Sequence, residues 1–479
     1  MRFLTFFFHN FHLNACAQCY TLFTILLNNI SFKNISKNKL NCMADRKYLN
    51  KEEQAEYLKK YNIDANRAML TIILSILVDV LGYSMVLPLL PEIGQSFGAS
   101  EFLIGLLIAS NAFTTLIFGP FWGKLSDNYG RKKILLISQV GTGISFLILA
   151  LSPNFWIILF ARISDGIFGG QIPVIRAYIA DITTPETRSQ EMSKIMVGHT
   201  IGMIIGPLLG GFLGILSWRY PPLVASSFSI VTILLTIKVL IESMPKERIE
   251  DIKAEKNSFQ TIPGNIKRKV LNREVLIRLL QILLVFTMTV MLNSSLSLIL
   301  DKKYGADTAL IGLIIAVAGI ALMVYAGLLL KPLIQKLGEK NLIFMGIFML
   351  IITFAIIPYL TEVWMMFIII LPFVFGMAAL PPLIQTNLTR AVDADQQGEI
   401  SGWTTNFQSI AQIIAPLIAT WYLQINGISF GFFYLDSYQL IGYTAVIIGI
   451  LIVIILFIDF RMHPNLYSKK VRLDQPIIE

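Results

Sequence analysis

Charged side chains are scarce in this chain, and their scarcity excludes a soluble globular protein. Only 14% of the 479 residues are charged, whereas 55% are hydrophobic and the mean hydropathy is +0.67. Soluble domains are about a quarter charged, so a chain of this length could not cover a water-facing surface with so little charge. The composition predicts an all-α polytopic membrane protein, because helices satisfy their own backbone hydrogen bonds within lipid.

Cysteine is also rare, and the arrangements typical of enzymes are missing. Cys16 and Cys19 form a Cys-x-x-Cys pair without the second pair or the His spacing of a zinc site. The sequence has no Walker phosphate loop, no metal-spaced His cluster and no nucleophile beside a base. The glycines of 202–211 lie in an apolar run rather than after a strand, so they are no dinucleotide fingerprint. We expect no enzyme, no cofactor and no metal.

The net charge of +9 indicates membrane topology rather than nucleic-acid binding. Lys and Arg cluster in alternate short connections, most densely at 123–133, and such loops are cytoplasmic by the positive-inside rule. Lys302 and Lys303 are the main exception to this alternation. We expect both termini in the cytoplasm and no nucleic-acid partner.

Apolar segments of about 20 residues, each long enough to span a bilayer, repeat along the chain. The expected spans lie near 68–91, 103–122, 134–151, 155–180, 193–216, 221–243, 276–300, 308–330, 341–360, 363–386, 400–424 and 438–460. They divide the chain into an N-terminal tail (1–66), a six-helix bundle (67–243), a central loop (244–275), a second six-helix bundle (276–460) and a C-terminal tail (461–479). We interpret residues 1–42 as an over-extended gene start or a disordered tail.

The two predicted bundles repeat each other at an offset of about 208–209 residues. Residues 123–132 align with 331–340, which places Gly130 on Gly338 and Arg131 on Glu339. Secondary transporters built from parallel halves bind substrate between them, near the bilayer midplane.

The segment Gly123-Lys-Leu-Ser-Asp127-Asn-Tyr-Gly130-Arg131-Lys-Lys133 lies between two apolar runs. It resembles the signature loop of the major facilitator superfamily, which joins the second and third helices. Asn128 is a departure, since the family usually has a cation there. The alternative is a charged hairpin that only sets topology. The resemblance implies a fold of 12 transmembrane helices in two bundles related by a pseudo-two-fold axis.

Ionisable residues within the first bundle are candidates for proton coupling, because a charge in the membrane is costly. Asp79 lies mid-span and should face a central cavity, where it finds a partner or takes a proton. Arg162 and Asp165 share a helix face and can pair, and Gln171 lies on the same span. The alternatives are a structural carboxylate at Asp79 and a structural ion pair at Arg162.

The fourth span also resembles the superfamily's fourth-helix motif, from Arg162-x-x-x-Gly166 to Ala-Tyr-Ile-Ala-Asp181. The resemblance implies that Asp181 pairs with Arg131 and that Asp127 caps the eleventh helix near Ser401. We expect Gly123, Gly130 and these charged residues to form a cytoplasmic gate that holds the outward-open state.

The fifth span carries glycines at every fourth position, which form a smooth face for close helix packing. This pattern resembles the antiporter signature of drug/proton exchangers, and the first bundle as a whole is most similar to tetracycline/proton antiporters. The residues of this motif are Gly202, Gly206, Pro207, Gly210 and Gly211.

The second bundle offers polar but uncharged candidates for substrate contact, namely Gln281, Asn293 and Asn406. We expect no charged residue deep in its helices, so coupling should lie in the first bundle.

The resemblance implies a proton-coupled antiporter that exports drug-like or amphipathic small molecules by alternating access. Its expected partners are substrate, protons and lipid, and we expect a monomer in the cell membrane. A symporter or facilitator for a metabolite, sugar or organic ion is one alternative. A non-transporting membrane sensor is another.

Overall fold

The structure is a computed structural model that describes residues 51–245, 247–250, 271–392, 396–425, 427–430 and 433–463. The expected tail at 1–42, most of the central loop and the chain end after 463 lie outside the described residues.

The described part of the chain is helical apart from one hairpin. The first half comprises α1 (Lys51–Lys60), α2 (Ala65–Val86), α3 (Leu90–Ser96), α4 (Glu101–Tyr129), α5 (Arg131–Leu151), α6 (Phe155–Phe168), α7 (Gln171–Ile182), α8 (Pro185–Gly214) and α9 (Tyr220–Lys238). The second half comprises α10 (Arg273–Tyr304), α11 (Thr308–Met323), α12 (Leu330–Leu337), α13 (Glu339–Ile356), α14 (Met365–Arg390), α15 (Gln397–Ile425), an antiparallel pair β1 (Ile428–Phe430) and β2 (Phe433–Leu435), and α16 (Ser437–Met462).

Eleven helices in the described ranges are long and apolar enough to cross a membrane, which confirms a polytopic helical membrane protein. The span expected at 400–424 is present as α15 but is not among the eleven. Its polar side chains lower its hydropathy, and they include Asn406, Gln408 and Gln412.

Three expected spans are interrupted. The first passes through a 3-10 turn, Leu87–Leu89, between α2 and α3. The fourth ends as α6 at Phe168 and resumes as α7 at Gln171, with Gly169 and Gly170 between. The eighth passes through a π-helical turn, Val324–Leu329, between α11 and α12. A π-helical turn contains one residue more than an α-helical turn, and such turns are frequent at functional sites.

Local sequence explains where the helices begin and end. Asp64 caps α2, Asn272 caps α10, and Asp436 forms a capping box with Gln439 at α16. Gly130, with φ of 97°, lets the chain leave α4 and enter α5 without a linker.

Each half packs around its own helices. In the first half α2 lies along α8 and α9, while α5 contacts α6 and α9. In the second half α10 contacts α14, α15 and α16, and α13 packs on α14 and α16. The halves meet where α4 contacts α15 and where α8 contacts α11.

Contacts between the halves concentrate at the membrane face away from segment 123–133. There Lys302 pairs with Glu101, Gln95 Nε2 donates to Asp301 Oδ2 at 3.1 Å, and the Phe102 amide donates to Gln424 Oε1 at 3.1 Å. We call this the far face, and the face that carries segment 123–133 the loop face. At the loop face, the space beside Gly402 is open to at least 4 Å.

Candidate functional site

Asp79 lies half-buried on α2, and a side chain of the broken fourth span contacts it. Gln171, the first residue of α7, donates from Nε2 to Asp79 Oδ1 at 3.3 Å. The Gln171 Oε1 atom is buried and has no hydrogen-bond partner among the described residues. The break at Gly169 and Gly170 therefore places a buried amide against the carboxylate expected to bind a proton.

Arg162 and Asp165 form a buried ion pair on α6, as their spacing predicted. The Nη1–Oδ2 distance is 2.9 Å, and Asn111 Nδ2 on α4 donates to the same oxygen at 2.7 Å. The Arg162 guanidinium is 1% exposed and lies 5.4 Å from the centre of the Tyr83 ring. Sequence reasoning missed Asn111 and Tyr83, since neither is charged.

The Asp79–Gln171 contact and the Arg162–Asp165 pair lie on the same side of the first half. Asp79 and Tyr83 are four residues apart on α2 and so share a helix face. The Nε and Nη2 atoms of Arg162 are buried and have no partner among the described residues. Buried N–H groups without acceptors are costly, so these two donors favour the approach of an acceptor. Arg162 could donate from them to a carboxylate or a bound group while its Nη1 keeps the contact with Asp165.

The structure brings the expected gate residues together around Arg131, which is 3% exposed. Arg131 Nη2 lies 2.7 Å from Asp127 Oδ1, and its Nε lies 3.2 Å from Asp181 Oδ2. Arg131 Nη1 also donates to Ser126 Oγ at 2.6 Å, and Ser243 Oγ donates to Asp181 at 3.1 Å. All of these side chains belong to the first half.

Glu242 is a loop-face residue that sequence reasoning missed. It accepts hydrogen bonds from the backbone amides of Arg131 at 2.7 Å and Lys132 at 3.1 Å, so it caps the N-terminus of α5. Its carboxylate occupies the space beside Gly130 where a Cβ would lie. Burial raises the pKa of the Glu242 carboxyl, while the amides it accepts from, including that of Met244, favour its charged form. No pattern around 242 signals this role, because an acid at a span end is common.

The glycine face of α8 packs on the backbone of α2. A Cβ at Gly202 would lie 2.9 Å from the Leu77 carbonyl oxygen, and one at Gly206 would lie 2.9 Å from that of Leu81. Gly210 meets the Met85 backbone in the same way. On the other side of α8, Pro207 and Gly211 face Gly312 of α11 in the second half. The motif thus joins α2 to the interface between halves.

The three polar candidates of the second half occupy different environments. Asn293 is exposed on α10, where Leu292 and Ser294 beside it are buried, and its Nδ2 lies 3.9 Å from Met377 Sδ. Asn406 is half-buried on α15. Gln281 is 1% exposed and donates to Asp459 at 3.3 Å, so it packs between helices rather than facing a cavity.

The second half holds a buried ion pair near the ends of two of its helices, which the expectation of no charged residue deep in those helices did not anticipate. Arg278 of α10 and Asp459 of α16 are both fully buried, with Nη2 and Oδ1 3.3 Å apart. His463 lies 3.0 Å from Asp459 Oδ1 and 3.0 Å from Glu274 Oε1. Arg278 and Asp459 each lie about one turn from a helix end. From the sequence alone, such residues are expected to border a loop rather than to be buried.

Comparisons with known proteins agree with this architecture. The family model of the Major Facilitator Superfamily matches residues 72–416 and 278–474. A tetracycline resistance protein, class C, of Escherichia coli is 29% identical over 360 residues, which are 74% of this chain and 89% of that protein. Multidrug resistance protein 2 of Bacillus subtilis is 29% identical over 392 residues, which are 80% of this chain and 95% of that protein.

Solved structures share the fold at lower identity. A human organic anion transporter superposes with a TM-score of 0.61 at 20% identity, covering 82% of this chain and 99% of its own. A bacterial homologue of the lysosomal transporter Spinster gives a TM-score of 0.61 at 15% identity, covering 84% and 97%. The relatives are transporters rather than enzymes.

Proposed function

We propose, from the premise that this chain belongs to the Major Facilitator Superfamily, that it is a proton-coupled antiporter exporting drug-like amphipathic molecules. Its likeness to tetracycline and multidrug resistance proteins supports the substrate class. The single observation that carries the proposal is the half-buried Asp79 beside Gln171 and the Arg162–Asp165 pair. Ionisable residues within membrane spans mark ion and substrate pathways.

Asp79 is the proton carrier in this proposal. When Asp79 is ionised, Gln171 donates to it; when Asp79 is protonated, the buried and unpartnered Oε1 of Gln171 can accept a hydrogen bond from the Asp79 hydroxyl. A rotation of one amide therefore serves both protonation states. Asn111 and Arg162 both donate to Asp165 Oδ2 nearby. A cationic or polar substrate group would compete with the proton for this cluster.

The contacts between helices support alternating access. The halves touch at the far face, through pairs such as Lys302 with Glu101, whereas Gly402 at the loop face has open space. With the loop face assigned to the cytoplasm by its cations, this arrangement is open to the cytoplasm. Asp127 pairs within the first half here and would dock near Ser401 when the loop face closes.

A facilitator without proton coupling is the second candidate. The hydrogen bond from Gln171 to Asp79 favours it, because a carboxylate with a fixed amide donor can be structural. In that case Asp79 would stabilise the break between α6 and α7 and substrate would equilibrate down its gradient.

Vesicles with a trapped pH dye distinguish the two candidates. We would reconstitute the purified protein, acidify the interior and add tetracycline, a lipophilic cation or a sugar outside. The antiporter releases protons when a drug-like compound enters. Because an amide cannot carry a proton, Asp79→Asn should reduce this release about tenfold or more while the fold is kept.

The matched control is Asp64→Asn, the same chemical change on the same helix. Asp64 caps α2 from an exposed position, and Asn is as good an N-cap as Asp. This variant should behave like the unmodified protein. Proton release that persists in Asp79→Asn would refute the assignment of Asp79, and solute entry without proton release would favour the facilitator.

A further inference from the structure

A second loop-face ion pair lies in the second half. Glu339 and Arg390 form a bidentate pair, with Nη1–Oε2 at 2.8 Å and Nη2–Oε1 at 3.0 Å. The side chains of Arg390 and Glu339 are 33% and 12% exposed. Two parallel N–H···O bonds between a guanidinium and a carboxylate give a strong and directional contact.

This pair occupies the positions that Arg131 and Asp181 occupy in the first half. Glu339 is the first residue of α13 and follows Gly338, just as Arg131 is the first residue of α5 and follows Gly130. The two glycines have similar backbones, with φ and ψ of 97° and 150° at Gly130 and of 79° and 156° at Gly338. Each pair ties the start of one membrane span to the end of the next span.

The charges of the two pairs are exchanged. Arg131 puts a cation at the start of α5 and Asp181 puts a carboxylate at the end of α7, so both oppose the helix dipoles. Glu339 and Arg390 have the order that both dipoles favour. The first pair has additional partners in Ser126, Asp127 and Ser243, and Glu242 closes the start of α5.

We propose that Glu339 and Arg390 are positioning residues for transport, which hold the loop-face end of α14 and, through it, the start of α15. Arg390 is the last residue of α14, and the chain enters α15 only seven residues later, at Gln397. The start of α15 is where Asp127 docks in the proposed closed state. The inference therefore rests on alternating access in the proposed function, but not on proton coupling.

Exchanging the charges of Glu339 and Arg390 by substitution distinguishes a positioning role from simple stabilisation of each helix. Arg390→Glu breaks the pair and also opposes the dipole of α14. The double variant Glu339→Arg/Arg390→Glu restores the pair but opposes both dipoles. If the pair positions α15, the double variant recovers function; if each residue only stabilises its own helix, the double variant is the worse of the two.

A cysteine at position 402 reports on the loop face independently of any substrate. Gly402→Cys would be built with Cys16, Cys19 and Cys42 replaced by serine, since the space at Gly402 accepts a side chain. We would measure maleimide labelling in reconstituted protein and solute uptake in the same vesicles. Arg390→Glu should speed labelling about fivefold by preventing closure, and the double variant should return it to within about twofold.

Two further variants keep the test decisive. Arg390→Lys retains the charge but loses the bidentate geometry, so it should give an intermediate labelling rate and serves if Arg390→Glu does not fold. Lys336→Glu makes the same kind of charge reversal at an exposed loop-face position and should label like the parent. Equal labelling of Arg390→Glu, Arg390→Lys and parent would overturn the proposal, as would a double variant no better than Arg390→Glu. If the protein moves solute without protons, the double variant should still recover the labelling rate of the parent. A failure of proton coupling is therefore distinguishable from a failure of this inference.

Discussion

Glu242 shows how one residue outside the membrane spans can support a charged cluster. It lies four residues beyond α9, yet its carboxylate accepts from the amides of Arg131, Lys132 and Met244. Arg131 is then free to use its guanidinium on Asp127 and Asp181. The unfavourable placement of a cation at the start of α5 is offset by a carboxylate at the same helix end.

Stability should depend on pH through Glu242. Burial raises its pKa above the ordinary 4.5, so the folded protein binds this proton more tightly than the unfolded chain does. Its contribution to stability is therefore fully present below pH 4.5 and declines as the pH rises toward the raised pKa. The melting temperature in detergent should therefore fall as the pH rises above 4.5, and we expect Glu242→Gln to make this fall smaller.

The control for that measurement is Glu52→Gln, on the exposed first turn of α1. It should leave the pH profile of the melting temperature unchanged. A profile of Glu242→Gln that coincides with that of the unmodified protein would show that Glu242 does not titrate in this range.

Single residues were predictable where the sequence pattern is local and not where the partner is distant. The Arg162–Asp165 pair follows from a spacing of three on one helix. Arg278 and Asp459 are 181 residues apart, and each lies near a helix end, so nothing in the sequence joins them. The partner of Asp79 was also hidden, because Gln171 reaches it only through the break after Phe168.

At the scale of helices, the α2–α8 contact is the most sensitive element of the first half. The glycines of α8 lie against backbone atoms of α2, which cannot move aside as a flexible side chain can. Ser84 Oγ also donates to the Gly202 carbonyl at 2.9 Å, which fixes the two helices in register. A methyl group on this face must therefore push two membrane spans apart.

Gly210→Ala tests this contact, because its Cβ would meet the backbone of Met85. Overpacking of this kind costs about 1–3 kcal/mol. A cost of about 1.4 kcal/mol to one conformation of the transport cycle lowers its population about tenfold, so we expect substrate transport to fall about tenfold. The measurement is initial uptake per folded protein in vesicles. Gly119→Ala is the matched control, since its nearest neighbour, Pro173 Cγ, is 4.0 Å away. Equal uptake by the two variants would show that α2 and α8 tolerate separation.

Span positions were largely predictable from apolar runs, whereas their interruptions were not. Proline was a poor guide, since α14 continues through Pro372, Pro381 and Pro382 while the fourth span breaks at glycines. A proline in a membrane helix is tolerated when neighbouring helices satisfy the freed backbone groups. Which interruption occurs depends on tertiary packing, which a single sequence does not reveal.

At the scale of the whole molecule, the two halves repeat a backbone plan with different charges. The glycines at 130 and 338 have similar backbones, and the ion pairs beside them occupy equivalent places with opposite signs. The polar cluster around Asp79 has no counterpart in the repeat, because the position 208 residues later is Thr287. We therefore place proton coupling in the first half and treat the division into bundles 67–243 and 276–460 as part of the same proposal.

The most direct test of this account imposes a substrate gradient without a pH gradient and follows both fluxes in the same vesicles. An antiporter must move protons against the substrate, so drug-like solute entering the vesicles should alkalinise a lightly buffered interior. Asp79→Asn should lose the proton flux. Solute entry at the normal rate with no change in internal pH would contradict the proposed coupling and leave a facilitator with the same fold.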